Sequence, residues 1–300
     1  MQVLVTGGTG FIGTHLCREL DARGHDVTAL SRSPDGDGGD LPESVATAMG
    51  DVTAYDSIEG AFEGQDAVVN LVALSPLFEP KGGDETHFEV HLEGTRNVVR
   101  AAEERGVRKL VQLSALGADP EGETAYVRSK GQAERVVRAS DLAWTIFRPS
   151  VVFGDGGEFV SFTETLTTPY VTALPGGGGT RFQPLWVGDL VGPLADSLDA
   201  AHDGETYEVG GPEVLTLADV ATAVYRAKGR SLTVLSVPMA LAKVGMSLAD
   251  PLPFVPFGSD QYRSLRFDNT VPENDVTAFG RDPSGLTRLT EYLRERRGDA

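Results

Sequence analysis

The chain has 300 residues, enough for one large α/β unit with a smaller lobe and for a sizeable buried core. Forty-four acidic residues against 26 basic ones give a formal charge of −18, which excludes a nucleic-acid backbone as partner, and the 40% hydrophobic fraction fits a soluble globular enzyme. A lone cysteine, Cys17, excludes an intrachain disulfide and a cysteine-built zinc site and reads as a small core residue.

The first element expected is a strand, Gln2–Thr6, which runs into Thr6-Gly7-Gly8-Thr9-Gly10-Phe11-Ile12-Gly13 and then a helix over Gly10–Arg23. Gly7 permits a tight turn, Gly10 a close approach of backbone to a pyrophosphate, and Gly13 close packing of helix on strand. The helix start then aims its unpaired N–H groups at the anion, with Thr9, Phe11 and Ile12 in contact range. A second strand, Asp26–Leu30, completes the start of a βαβ unit, so the glycines sit in the context that makes them a dinucleotide cradle.

That second strand ends in Ser31-Arg32-Ser33, where a carboxylate would suit the ribose hydroxyls of NAD. An arginine fork and hydroxyls suit the additional phosphate of NADP, so NADP is the expected cofactor and NAD the alternative, with Asp35 and Asp37 just beyond. The glycine-rich run Pro34–Gly39 marks a loop. Strands follow near Val45–Met49, Ala67–Leu71, Lys109–Leu113 and Trp144–Phe147, alternating with helices near Tyr55–Phe62, Thr86–Arg105 and Ala125–Ala139. Such alternation argues for a parallel sheet with helices on both faces.

On the helix from Ala125, Tyr126 and Lys130 lie one turn apart on one face. Further on, Gly154–Gly157 and Gly176–Gly179 mark loops, followed by a helix over Val187–Leu198 and a strand over Thr206–Val209. Thr216-Leu217-Ala218-Asp219 is a capping start for a helix to Lys228, and a helix over Leu286–Arg296 ends the chain. The apolar stretches Val237–Leu248 and Pro251–Phe257, broken by Lys243 and Asp250, are too short to span a bilayer and are expected to cover a core. With no leader-like start, the expectation is a cytoplasmic protein without a transmembrane segment. His15, His25, His87 and His202 have no metal-ligand spacing, and no metal is expected.

The TGGTGFIG turn resembles the short-chain dehydrogenase/reductase superfamily, in its extended and atypical branches. The order Leu113-Ser114-Ala115-Leu116-Gly117, Tyr126-x-x-x-Lys130, then Phe147 to Gly154 carries the same resemblance. It implies a doubly wound parallel (Rossmann) sheet over residues 1–152 with a returning segment near 183–210. Residues 153–182 and 211–300 would form a smaller substrate or partner lobe. It further implies Ser114, Tyr126 and Lys130 as catalytic, with Ser114 binding the substrate oxygen, Tyr126 exchanging a proton and Lys130 holding the nicotinamide ribose. Asp51-Val52 would hold the adenine, Leu71-Val72-Ala73 the ribose, and Arg148-Pro149-Ser150 would lie beside the nicotinamide. His91 stands where many extended members have asparagine; proton relay and interior helix residue are the two readings, the second preferred.

Within that superfamily the chain looks most like atypical reductases related to the NADPH-binding accessory subunit of respiratory complex I. Gln183–Leu190, Thr206–Glu213, Asp260-Gln261 and Asp268-Asn269 continue the match. An NADP-dependent oxidoreductase on a small-molecule carbonyl or alcohol, with quinone- or isoprenoid-like compounds among the candidates, is the leading expectation. A non-catalytic subunit or assembly factor with a respiratory-complex or membrane-side partner is the second, and a nucleotide-sugar epimerase or dehydratase the third. The acidic, lysine-poor composition resembles cytosolic proteins of salt-loving archaea.

Overall fold

Strand β1 (Gln2–Thr6) is flanked by β2 (Asp26–Ser31) on one side and β4 (Ala67–Asn70) on the other, with β3 (Ala46–Met49) beyond β2. β5 (Lys109–Leu113), β6 (Ala143–Pro149) and β11 (Glu205–Val209) extend the opposite edge, giving a seven-stranded sheet in the order β11-β6-β5-β4-β1-β2-β3. All pairings from β6 to β3 are parallel, with Val3 opposite both Val27 and Ala67. Residues 1–33, 41–75, 77, 80, 82–238 and 267–298 are described by this computed structural model. Pro34–Gly39, Asp260-Gln261 and nearly all of 237–257 lie outside them.

Buried on both faces, the central strands read as unbroken apolar runs. Leu4, Leu30, Val68, Leu110 and Ile146 point to one face and join Val98 and Ala102 of helix α4 (Gly94–Glu104) and Val137 of α5 (Ala125–Arg138) in one core. Helix α1 (Phe11–Ala22) packs against α7 (Val187–Asp196). Between β3 and β4 stands the short α2 (Tyr55–Ile58) with a 3-10 turn to Phe62. Before α4, α3 (Asp84–His87) continues through a π-helical turn, Phe88–Glu93. The apolar pattern reads as one uniform helix here, because a single wide turn leaves its period almost unchanged.

The contact pattern divides the chain into two units: Met1–Leu74, Pro80–Pro149 and Val187–Glu208 form the first, the remainder the second. In the second, β8 (Tyr170–Pro175) pairs in parallel with β13 (Leu232–Val237). Two-residue pieces pair as well: β7 (Val152–Phe153) with β10 (Leu185–Trp186), and β9 (Arg181–Phe182) with β12 (Leu215–Thr216). The core of this unit draws Phe153, Phe159 of α6 (Phe159–Leu166), Phe182, Val220, Leu289 and Leu293 from far-separated stretches. Thr216 caps α8 (Leu217–Ala227) with a reciprocal Thr216/Asp219 box, as expected. The last helix, α9 (Leu289–Gly298), starts three residues after the expected Leu286, behind a 3-10 turn over Pro283–Gly285. Among the described residues no helix is long and apolar enough to cross a membrane.

Candidate functional site

Strand order reverses between β1 and β4, and ligands of such sheets bind at the carboxyl ends of the strands there. Gly7 leaves β1 with φ +75° and donates its N–H to Leu30 O at 2.8 Å. A Cβ on Gly7 would lie 3.4 Å from both Val72 Cγ2 and Val72 N, so the loop Leu71-Val72-Ala73 borders the turn directly. A Cβ on Gly13 would sit 2.1 Å from Gly7 O, an overlap no L side chain escapes. Gly8, which the three-residue spacing passes over, is equally constrained: its Cβ would lie 2.6 Å from Ala29 Cβ. At Gly10 a Cβ would meet only Gly7 O, at 3.2 Å, leaving open the side from which an anion approaches.

Gly10 is the N-cap of α1 and supplies no capping side chain, and no acidic residue stands in the first turn. The N–H groups of Phe11, Ile12 and Gly13 therefore lack the usual side-chain acceptor, and the dipole end is unneutralised. This donor set fits a pyrophosphate. At the tip of β2, Arg32 and Ser33 are exposed, and among the described residues Arg32 is in no ion pair and the buried Ser31 Oγ has no hydrogen-bond partner. Asp51 Oδ1 accepts from both Thr53 N and Thr53 Oγ1, and Asn97 donates to Val52 O at 2.8 Å, which fixes the turn after β3.

Helix α5 carries Tyr126 and Lys130, the pair expected from the resemblance. Its N-cap Thr124 accepts from Val127 N. Tyr126 is held by its ring, edge-on to His87 at 5.7 Å and to His91 at 5.4 Å, while its hydroxyl makes no hydrogen bond to the described residues. Burial pushes the phenol above its ordinary value. Lys130, 2% exposed, donates to Leu113 O at 3.2 Å at the end of β5. Burial lowers its ammonium to about 8, against the opposing pull of Glu134.

Three expected site residues have their side chains engaged by other residues of the chain. Ser114 Oγ donates to Glu134 at 2.6 Å, so its hydrogen is committed to a buried carboxylate and not to a substrate oxygen. Arg148 makes a two-pronged contact with the same carboxylate, at 2.9 and 2.8 Å, and reaches Glu208 at 3.1 Å; Arg138 adds a third donor to Glu134. Arg148 is thus a tie between β6, α5 and β11, with Pro149 ending β6. In the second unit, Ser150 Oγ lies 2.8 and 2.7 Å from the backbone and side-chain oxygens of Asn269. Glu134, 1% exposed, was missed in the sequence, although Lys130, Glu134 and Arg138 follow one another at helical spacing on one face. A polar ladder under the site, Thr6 to Asn70 (2.6 Å) to Gln112 (2.9 Å), also went unread. No group of histidine, cysteine and carboxylate side chains suited to a metal occurs among the described residues.

The NAD(P)H-binding family model matches residues 7–168. The chain is 28% identical over 288 residues to NADH dehydrogenase [ubiquinone] 1 alpha subcomplex subunit 9, mitochondrial, of Arabidopsis thaliana, covering 90% of this chain and 71% of that protein. It is 28% identical over 315 residues to sterol demethylase protein B of Methylococcus capsulatus, covering 94% and 92%. The UDP-glucose 4-epimerase of Thermus thermophilus, solved with NAD, superposes with a TM-score of 0.73 at 26% identity, covering 99% of this chain and 98% of that one. The resemblance carried by the glycine turn and by Tyr126 and Lys130 is borne out: the chain belongs to the NAD(P)H-binding family and has the extended short-chain dehydrogenase/reductase fold.

Proposed function

We propose that the protein is an NADP-dependent reductase of a carbonyl group on an apolar small molecule, working through Tyr126 and Lys130. The observation that carries this reading is the placement of the Tyr126 hydroxyl, hydrogen-bonded to none of the described residues and on the same helix as the buried Lys130 ammonium, one turn away. Burial by itself makes this phenol a weaker acid, so giving its proton to a carbonyl oxygen depends on the Lys130 ammonium and on the charge that oxygen gains. A bound reduced nicotinamide supplies the hydride. The Tyr126 O–H bond then breaks as the substrate O–H bond forms, and the Lys130 ammonium favours the resulting phenolate. Gly7, Gly10 and the first turn of α1 would hold the pyrophosphate, Lys130 the nicotinamide ribose, Asp51 and Val52 the adenine side. Arg32, with Ser31 and Ser33, would take the additional phosphate of NADP. Ser114 and Arg148 contribute through Glu134, by fixing α5 against β5 and β6.

Similarity to a sterol demethylase protein supports an apolar substrate. Against a sugar diphosphate stands Arg181, the single cation between Phe159 and Arg181, whose guanidinium is taken by Asp268 at 2.9 and 2.6 Å. A second reading, a non-catalytic NADPH-binding subunit of a respiratory complex, is favoured by the similarity to the Arabidopsis subunit across 90% of the chain. Tyr126→Phe separates the two. NADPH oxidation by ketones or quinones should fall at least about 100-fold while NADPH binding is kept. A bound cofactor that no substrate oxidises, with the variant indistinguishable from the parent, would favour the subunit. Cytoplasmic placement goes with either reading.

A further inference from the structure

The π-helical turn Phe88–Glu93 carries a side chain for which the reaction above has no use. His91 is 1% exposed. The Leu74 amide donates to its Nε2 at 2.9 Å, so that nitrogen bears no proton. Its Nδ1 lies 2.9 Å from Ser129 Oγ, and Ser129 Oγ lies 2.9 Å from the Tyr126 backbone oxygen. A carbonyl oxygen only accepts, so the serine hydrogen goes to Tyr126 O and the serine oxygen receives the hydrogen on Nδ1. An obligate donor at one end and an obligate acceptor at the other require the same form of the ring. It is the neutral imidazole protonated on Nδ1.

We infer that His91 is a positioning residue for Tyr126: a neutral spacer whose one-way hydrogen-bond chain sets the loop after β4 against the turn of α5 that carries the phenol. A proton relay would need a partner that can release or take up a proton at each end, and this chain ends in a backbone amide and a backbone carbonyl, which do neither. The geometry gives the spacer two grips on the tyrosine. One is the backbone, through Ser129; the other is the ring, in a T-shaped contact at 5.4 Å and 86°. Because the Tyr126 hydroxyl itself has no hydrogen bond to the described residues, these grips decide where it points. The wide turn delivers His91 to that place, in keeping with the frequency of such turns at functional sites. The effect on turnover rests on Tyr126 acting as the proton donor; the state of the ring does not.

The test has two arms. In full-length protein labelled with 15N-histidine, the signals lost in His91→Gln identify His91. They should show an unprotonated Nε2 and a protonated Nδ1 unchanged between pH 5 and pH 9. A ring that titrates in that range, or carries its proton on Nε2, overturns the inference whether or not the protein turns over any substrate. The second arm compares His91→Gln, whose amide retains one acceptor and one donor, with His91→Leu, which retains neither. NADPH affinity and kcat should fall about tenfold or more in the leucine variant, from the unpaired Leu74 amide and the freed α5 turn. The glutamine variant should stay within about threefold of the parent. Equal behaviour of the two variants contradicts the positioning role, and a leucine variant that does not fold leaves the spectroscopic arm to decide.

Discussion

Tyr126 and Lys130 respond to the same burial in opposite ways. The phenol gains hold of its proton, while the ammonium is weakened to about 8, within reach of ordinary solution conditions. If the charged form of Lys130 holds the cofactor, NADPH affinity should fall as pH rises through about 8, and Lys130→Met should bind more weakly at pH 7 and lose that dependence; fluorescence titration across pH 6.5–9.5 reads both. The sign for stability is the reverse. With the folded value below the unfolded one, about 10.4, the unfolded chain binds more protons between the two, so this group adds stability as pH rises from about 8 upward. The pair itself was legible from spacing and order along the chain. The engagement of Ser114 and Arg148 was not, because their partner Glu134 meets Arg148 only through the pairing of β5 with β6, which brings both strands beneath α5.

At the level of elements, the β1 turn and α1 form one rigid cradle whose glycines have different duties. Gly13→Ala places a methyl 2.1 Å from a backbone oxygen and must move the helix off the strand. We expect it to cost about 3 kcal/mol, seen as a lowered midpoint in denaturant unfolding. Gly10→Ala meets only Gly7 O at 3.2 Å. It should fold with a loss below about 1 kcal/mol, while NADPH binding falls about tenfold or more because the methyl occupies the anion's approach. Strands buried on both faces announce themselves as apolar runs, which is why β1, β2, β4 and β5 could be read within a residue or two. The π-helical turn has no such signature, and the two-residue strands of the second unit are shorter than any period that could reveal them.

For the whole molecule, the excess of acidic side chains is the dominant surface property. Like charges held together by folding repel, and added salt screens them over a distance of about 3 Å at 1 M compared with about 10 Å at 0.1 M. The thermal midpoint should therefore rise as KCl is increased from about 0.1 M to about 2 M; a flat or falling midpoint would contradict charge repulsion as a limit on stability. The second unit was harder to foresee than the first. Its core joins Phe153 to Leu293 across almost half of the chain, and no local pattern encodes a contact of that range.

The most direct measurement is a paired experiment on the purified protein and Tyr126→Phe: NADPH and NADH binding by fluorescence, then oxidation of bound NADPH by a panel of apolar ketones and quinones. Both proteins should bind NADPH more tightly than NADH, and oxidation in the parent should fall at least about 100-fold in the variant. Equal oxidation rates in the two would contradict the role given to Tyr126, tighter binding of NADH would contradict that of Arg32, and NADPH held without oxidation by any member of the panel would contradict the reductase reading itself.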